Sequence, residues 1–293
     1  MRYRTVGDVR VSAIGLGAMP LSIEGAPDER RALATVHASL DAGVTLLDTA
    51  DSYHPPGGEP GAGELLVARA LKAYGAGADG VLVATKGGRG RTADGGWTVD
   101  GRPAHLRRAA EGSLRRLGTE AIGLYQLHKP DPEVPYAESL GAVRELLDAG
   151  VVRLAGISNV DTAQIRLARE ILGDRLVSVQ NRYSPEVRDS EAELGLCAEL
   201  GLAFLPWSPL GGISRSSLDG ASEREEDPRF GAFHRIARRR GASPQQVALA
   251  WLLSRSGTVI PIPGASRPET ARASAEAAEL VLDEAESAEL NAR

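Results

Sequence analysis

Residues 46–54 read LLDTADSYH. Leu46 and Leu47 have the apolar character of a buried strand, and within six residues the chain supplies Asp48, Asp51 and Tyr53. Polar residues at a strand end are ordinary turn chemistry. Two distant groups open a second reading: Lys86, in VATKGG, and His128, in YQLHKPDP. Together Asp, Tyr, Lys and His have neither metal-ligand spacing nor a nucleophile paired with a base. What they can do is move a proton. A phenol with a pKa of about 10 needs help to act as a general acid near neutral pH, and a nearby ammonium lowers that pKa by favouring the phenolate. Asp48 would keep Lys86 charged and oriented, and His128 would hydrogen-bond a substrate oxygen or pass a proton. The set suits protonating a carbonyl oxygen while a hydride from a cofactor attacks the carbon. Asp51 reads as a residue that shapes the turn.

Such a set works only if distant strand ends meet. RYRTVGDVRVS predicts a small hairpin turning at Gly7-Asp8. After it, eight apolar runs of strand length alternate with helical segments. The strand runs are AIGLGAM, VTLLDTA, VLVATK, IGLYQLH, VVRLAGIS, LVSVQNRYS, AFLPWSPLGG and TVIPIPGAS. The first helix, DERRALATVHASLDAG, shows the pattern: Leu33, Val36, His37 and Leu40 share a face, Asp28 opens it and Gly43 closes it. RPETARASAEAAEL is the last full helix, and FGAFHRIARRRG is an extra one. Strands apolar on both faces and separated by helices predict a parallel sheet. Eight such units predict an α/β fold, a (β/α)8 TIM barrel with a short N-terminal β-hairpin and extra helices, spanning 1–293 as a single domain. A doubly wound open sheet would use fewer units. The long stretch GGISRSSLDGASEREEDPRF interrupts the alternation after the seventh strand.

In such a barrel the active site lies at the C-terminal strand ends. There the chain carries Asp48, Asp51 and Tyr53, then Lys86, His128, Ser158 with Asn159, Gln180 with Asn181, Trp207 with Ser208, and Gly264 to Arg267. Singly, a Lys there is a solvated loop charge, a His a hydrogen-bonded structural residue, and a Trp a core residue. Polar groups at the same end of so many consecutive strands point to one rim.

The bulk numbers agree with a small-molecule role. Net charge is -5 over 293 residues, with no basic block, and aromatics make up 4%. Nucleic acid is not an expected partner. The single cysteine, Cys197, allows no internal disulfide and reads as a buried, inert thiol. The first residues lack the apolar core of a signal peptide, and no run of roughly 18 apolar residues occurs, so neither export nor a membrane span is expected. A cytoplasmic monomer or weak homo-oligomer is the expectation.

GVTLLDTADSY, VATKGG, YQLHKPDP, GISN, SVQNRYS, PWSPLGG and IPIPGASRPE, in that order and spacing, resemble the aldo-keto reductase superfamily across nearly the whole chain. The resemblance implies a barrel that binds NADPH/NADP+ and passes a hydride to an aldehyde or ketone, a small-molecule carbonyl substrate. By matching position, Tyr53 is the general acid and Asp48, Lys86 and His128 its partners. Ser158, Asn159 and Gln180 would hold the nicotinamide carboxamide, and Trp207 would stack on the ring. Ser208, Leu210 and Gly212 would line the pyrophosphate. Gly264, Ser266, Arg267 and Ser274 would serve the adenosine end, Ser266 and Arg267 at the 2′-phosphate. The sequence departs from many relatives at Thr270, Ala273 and Ser274, where Arg, Glu and Asn are common, and at His54, where Gly is common. Arg272 offers a partial substitute, and His54 reads as a solvent-exposed loop residue.

Two other readings compete. A nucleotide-sensing binding subunit of the same fold would keep the four residues, although the sequence displays no charged docking tail. A barrel isomerase or aldolase would use Lys86 as its amine but leaves Tyr53, Trp207 and GISN without a purpose. Substrate choice is assigned to the loops 20–27, 54–61, 88–102, where Trp97 is an apolar wall, and 213–230.

Overall fold

The computed structural model describes residues 1–214 and 228–292. The chain opens with the antiparallel hairpin β1 (Tyr3–Val6) and β2 (Val9–Ser12). There follow β3 (Leu16–Gly17), α1 (Glu29–Asp41), β4 (Leu46–Asp48), α2 (Ala62–Tyr74) and β5 (Leu82–Gly87). A second antiparallel hairpin, β6 (Arg89–Arg91) and β7 (Trp97–Val99), stands on β5. The alternation resumes with α3 (Pro103–Leu117), β8 (Ile122–Leu127), α4 (Tyr136–Asp148), β9 (Val152–Ser158), α5 (Thr162–Leu172), β10 (Leu176–Gln180), α6 (Glu191–Leu200) and β11 (Ala203–Phe204). The last helices are α7 (Gly231–Arg240), α8 (Pro244–Arg255), α9 (Pro268–Glu276) and α10 (Glu284–Asn291).

Seven parallel strands lie in the order β3-β4-β5-β8-β9-β10-β11. The predicted eighth strand, TVIPIPGAS, closes the ring without forming a regular ladder. On one side Phe204 N–H donates to Thr258 O at 2.9 Å and Ile260 N–H to Phe204 O at 2.8 Å. On the other, Gly15 N–H reaches Pro261 O at 2.9 Å and Gly17 N–H reaches Pro263 O at 3.0 Å. Pro261 and Pro263 accept through their carbonyls but have no N–H to return, so pairing toward β3 is reduced to a single parallel bridge, Gly17 with Gly264. The fold is the expected (β/α)8 barrel, with the short N-terminal hairpin and the extra helices α7 and α10.

Strand parity decides what faces the barrel axis. Leu46 belongs to the interior cluster with Val6, Val11, Leu82, Ala84, Leu124, Val177, Ile260 and Ile262. Its neighbour Leu47 packs outward with Val36, Leu40 and Val67 of α1 and α2. Val6 and Val11 place the N-terminal hairpin against the lower mouth of the barrel. Two steps above the interior leucines and alanine on β4, β5 and β8 come Asp48, Lys86 and Gln126, each buried. The same pleat that fills the lower core with apolar groups thus turns polar groups inward at the top.

Helix starts follow sequence chemistry. Asp28 accepts from Arg31 N–H, and Asp161, Ser243 and Asp283 each form a capping box with the residue three on. The box at Asp283 and Glu286 starts α10, beyond the last helix that the periodicity predicts. That last helix is shorter than expected: α9 stops at Glu276 and tightens into a 3-10 turn over Ala277–Glu279. Most of the long interrupting loop, residues 215–227, lies outside the described residues. Among the described residues no helix is long and apolar enough to cross a membrane.

Barrel closure makes a specific demand at Gly17. A Cβ there would sit 2.8 Å from the Ile262 carbonyl oxygen, a backbone atom that cannot swing aside. At Gly141, inside α4, a Cβ meets nothing within 4 Å. Gly17→Ala should therefore lose about 1–3 kcal/mol of stability, whereas Gly141→Ala should gain about 0.5–1 kcal/mol from helix propensity. Urea unfolding of both variants checks the pair; equal midpoints would contradict the closure geometry.

Candidate active site

Four strand ends meet at a buried ion pair. Lys86 Nζ donates to Asp48 Oδ1 at 2.5 Å, to Thr49 O at 2.9 Å and to Tyr53 OH at 3.2 Å. An ammonium has three hydrogens, and all three are used. The other carboxylate oxygen, Asp48 Oδ2, accepts from Gln126 Nε2 at 3.1 Å and Gln180 Nε2 at 2.9 Å. The Lys86 side chain is wholly buried and that of Asp48 only 3% exposed. Burial pulls the Lys86 ammonium toward losing its proton, but Asp48 and the Tyr53 oxygen outweigh it, and the pKa stands above its ordinary value. Lys86 is thus a fixed cation. An amine that attacks a carbonyl must be neutral, so this geometry argues against the aldolase-type reading.

Tyr53 is held by the turn that LLDTADSYH predicts. Thr49 N–H donates to Ala84 O and Asp51 N–H to Lys86 O, which ties the turn after β4 to β5. The ammonium does lower the phenol pKa as expected, but burial raises it more, and the net direction is up. Tyr53 is therefore a protonated acid at neutral pH. His128 meets its ring edge-on at 5.8 Å. Burial lowers the His128 pKa well below its ordinary value, and the positive charges of Lys86 and Arg89 add to that. His128 is a neutral imidazole, with Ser52 Oγ at a long 3.5 Å from Nδ1.

Asp51, expected to shape the turn, lies in it and is out of solvent. Its carboxyl is buried, and Oδ1 has no hydrogen-bond partner. Burial raises its pKa well above the carboxylate range, with the nearby Glu64 charge adding and Arg116 partly offsetting. Glu64 itself is buried, accepting from Thr85 Oγ1 at 2.5 Å and Arg116 Nε at 2.6 Å.

The expected cofactor residues line one long cleft of about 1460 Å³. It runs from Asp48, Tyr53 and His128 past Ser158, Asn159, Gln180, Trp207, Ser208 and Leu210 to Gly264, Ser266, Arg267 and Ser274. Asn159 adopts φ 59°, a left-handed conformation that Asn tolerates. Its amide donates to His128 O at 2.9 Å, locking the ends of β8 and β9 together. Ser158 Oγ donates to Gln180 O at 2.6 Å. The amide NH₂ of Gln180 is engaged with Asp48, a role the sequence reading does not contain. Gly212 departs from expectation: it lies off the cleft wall, and a Cβ there would strike the Phe230 ring at 2.4 Å. Gly211 lines the cleft instead. Arg272 is exposed and off the cleft wall, whereas Thr270 and Ala273 are on it. His54, expected in solvent, is buried, with Nδ1 3.0 Å from Pro55 O.

Two features suit a dinucleotide. The Trp207 indole N–H is buried without a partner at the middle of the cleft. At the far end α9 begins after Arg267 with no side-chain cap, and Ser266, Arg267, Glu269 and Thr270 line the cleft there. An uncapped helix start beside a guanidinium and a hydroxyl has the donors to hold a phosphate. Ser266 does not cap the helix, which was the competing use for it.

Sequence reasoning missed Gln126, Arg89 and the Glu64–Arg116 pair. Gln126 had a signal: it stands two residues before His128 on the same strand face. Arg89 and Trp97 both line the cleft, from the hairpin β6–β7, a stretch whose sequence predicts a loop.

A closed eightfold barrel with an acid, a buried cation and a long cleft at the strand ends defines an enzyme-like site of the nucleotide-binding kind. The Aldo/keto reductase family model matches residues 13–292. The chain is 33% identical over 285 residues to an uncharacterized oxidoreductase of Schizosaccharomyces pombe, covering 94% of this chain and 85% of that one. Among solved structures it is similar to the glycerol dehydrogenase of Gluconobacter oxydans, with 27% identity, 99% and 94% coverage and a TM-score of 0.84. It is also similar to an aldo/keto reductase of Klebsiella pneumoniae solved with NADP and acetate, with 28% identity, 99% and 94% coverage and a TM-score of 0.78. The chain belongs to the aldo/keto reductase family.

The depressed His128 pKa has a consequence for stability. Below about pH 6.5 an unfolded His takes up a proton that the folded one refuses. Folding stability attributable to this group is thus complete above that pH and declines as pH falls through it. His128→Gln should flatten the fall in unfolding free energy between pH 7 and pH 5. Parallel slopes for the two proteins in urea titrations would rule out a neutral His128.

Proposed function

We propose that this protein reduces an aldehyde or ketone to the alcohol, with NADPH as hydride source and Tyr53 as proton donor. The observation that carries the reading is the Tyr53 hydroxyl, 3.2 Å from an ammonium that is itself clamped 2.5 Å from Asp48, on the wall of a cleft it shares with His128. NADPH, when bound, would supply a hydride to the carbonyl carbon. The chain's own residues do the rest. The carbonyl oxygen is held between Tyr53 and His128, neutral groups able to donate hydrogen bonds to it. As charge develops on that oxygen, Tyr53 gives up its proton. Lys86, fixed by Asp48, stabilises the phenolate left behind, because the ammonium is already in place and need not reorganise. Gln126 and Gln180, both donating to Oδ2, hold Asp48 aimed at Lys86. Trp207 would meet the nicotinamide, and Ser266 with Arg267 would meet the 2′-phosphate at the open start of α9. The NADP and NADPH complexes of family members from Klebsiella pneumoniae support the cofactor assignment.

Tyr53→Phe should lower kcat by at least about 10²-fold, the scale of general-acid catalysis, while the Kd for NADPH changes little. Quenching of tryptophan fluorescence on titration with NADPH and NADH reads cofactor binding directly, through Trp207. Wild-type turnover in the Phe variant would remove Tyr53 as the acid. Equal affinity for NADPH and NADH would remove the 2′-phosphate role of Ser266 and Arg267.

A further inference from the structure

One charged side chain in the cleft has no role in the reaction just described. Arg89 starts β6, three residues after Lys86, and lines the same wall as Tyr53, Trp97, His128 and Met19. It is half-buried, its Nε is buried without a hydrogen-bond partner, and among the described residues no carboxylate pairs with it. Its guanidinium lies 4.4 Å from the centre of the Trp97 ring. Arg91, two residues on, is the contrast. It makes a two-pronged pair with Glu24 at 2.7 and 2.8 Å and donates to His54 O and Gly95 O. That pairing holds the Glu24 carboxyl down at about 2. The hairpin has thus given one arginine a carboxylate and two carbonyl acceptors, its Nε alone lacking a partner, and left the other lining the cleft with no carboxylate among the described residues.

A half-buried guanidinium without a counter-ion is unfavourable, and a protein keeps one where a ligand supplies the anion. We infer that Arg89 anchors a carboxylate of the substrate, making the preferred substrate an oxo acid, a short aldehyde or ketone carrying a carboxylate away from its carbonyl. The inference rests on the carbonyl-reductase reading for the reacting end and extends it to the other. A carboxylate fits better than a phosphate monoester. The guanidinium fork matches a carboxylate in two hydrogen bonds, and Arg89 is one cation, whereas a phosphate carries nearly two charges. Among the described cleft-lining residues the other permanent cation, Arg267, belongs to the far end at α9. Trp97 supplies an apolar surface for the carbon chain between carbonyl and carboxylate. The reaction leaves the carboxylate unchanged: hydride goes to the carbonyl carbon and the Tyr53 proton to its oxygen.

The test compares 4-oxobutanoate with 4-methylpentanal, in which two methyl groups replace the carboxylate oxygens. With NADPH, kcat/KM should favour the acid by at least tenfold in the wild type, and Arg89→Met should collapse that ratio toward one. Arg89→Lys, which keeps the charge and loses the fork, should retain part of it. Separately, titration calorimetry without nucleotide should detect pentanoate but not pentanamide, with pentanoate affinity falling at least tenfold in Arg89→Met. Reduction of both aldehydes with no preference for the acid, or a preference that survives Arg89→Met, overturns the anchor and leaves the reductase reading standing. Arg89-dependent pentanoate binding with neither aldehyde reduced upholds the anion site and overturns the reductase reading.

Discussion

The top of this barrel is organised by one buried ion pair, Lys86 with Asp48. Removing two charges from water costs several kcal/mol per ion, and their attraction repays that only when every remaining hydrogen-bonding position is filled. Here it is. The ammonium uses its three donors on Asp48, Thr49 O and Tyr53, and the carboxylate accepts from Lys86, Gln126 and Gln180. These partners come from β4, β5, β8, β10 and the turn after β4. No two adjacent elements could supply them, so the pair depends on the curl of the sheet that brings these strand ends together, a curl completed where Gly15 and Gly17 donate to the proline-rich eighth segment.

The ion pair also sets the protonation of its neighbours. A neighbouring ammonium is expected to lower the Tyr53 pKa; Lys86 does so, but burial outweighs it. That outcome favours a proton donor, because an acid ionised at rest has no proton to give. The same ammonium, behind burial and ahead of Arg89, drives His128 the other way and keeps it neutral. Desolvation therefore acts on both groups and makes both uncharged. In the proposed reaction the ammonium's value would lie in the product of proton transfer, a phenolate 3.2 Å from a cation that needs no rearrangement.

What was legible in the sequence was whatever follows from strand parity and strand ends. Asp48, Tyr53, Lys86 and His128 converge because each sits where an apolar run of strand length stops. Gln126 obeys the same parity but precedes the strand end, so it does not stand among the strand-end residues. The hairpin carrying Arg89 and Trp97 was hidden because RGRTADGGWTV has no apolar alternation: its strands pair over a polar loop and pack their arginines on Trp97. His54 looked exposed amid Pro and Gly, yet its backbone carbonyl is tied down by Arg91, a contact 37 residues away that no local pattern encodes. Gly212 belonged to a familiar stretch, but its φ of 86° turns that position toward Phe230 and leaves the cleft to Gly211. The eighth strand was correct as a position and wrong as a ladder, since its prolines remove the donors a ladder needs.

Charge balance explains why a single arginine can matter at this site. Lys86 and Asp48 cancel, and Tyr53 and His128 are neutral, so the four residues at the reacting end carry no net charge. Behind them Asp51 is pushed toward its protonated form by burial, and Glu64 is matched by Arg116. The field at the substrate end is therefore left to the next group outward, and that group is Arg89, poorly solvated and without a carboxylate among the described residues. A chain with net charge -5 thus offers a local positive potential inside its cleft. In the proposed reading the guanidinium, set on a separate hairpin, would hold the substrate's charge, while its own charge pulls the Tyr53 and His128 pKa values down, behind burial and Lys86 in both cases.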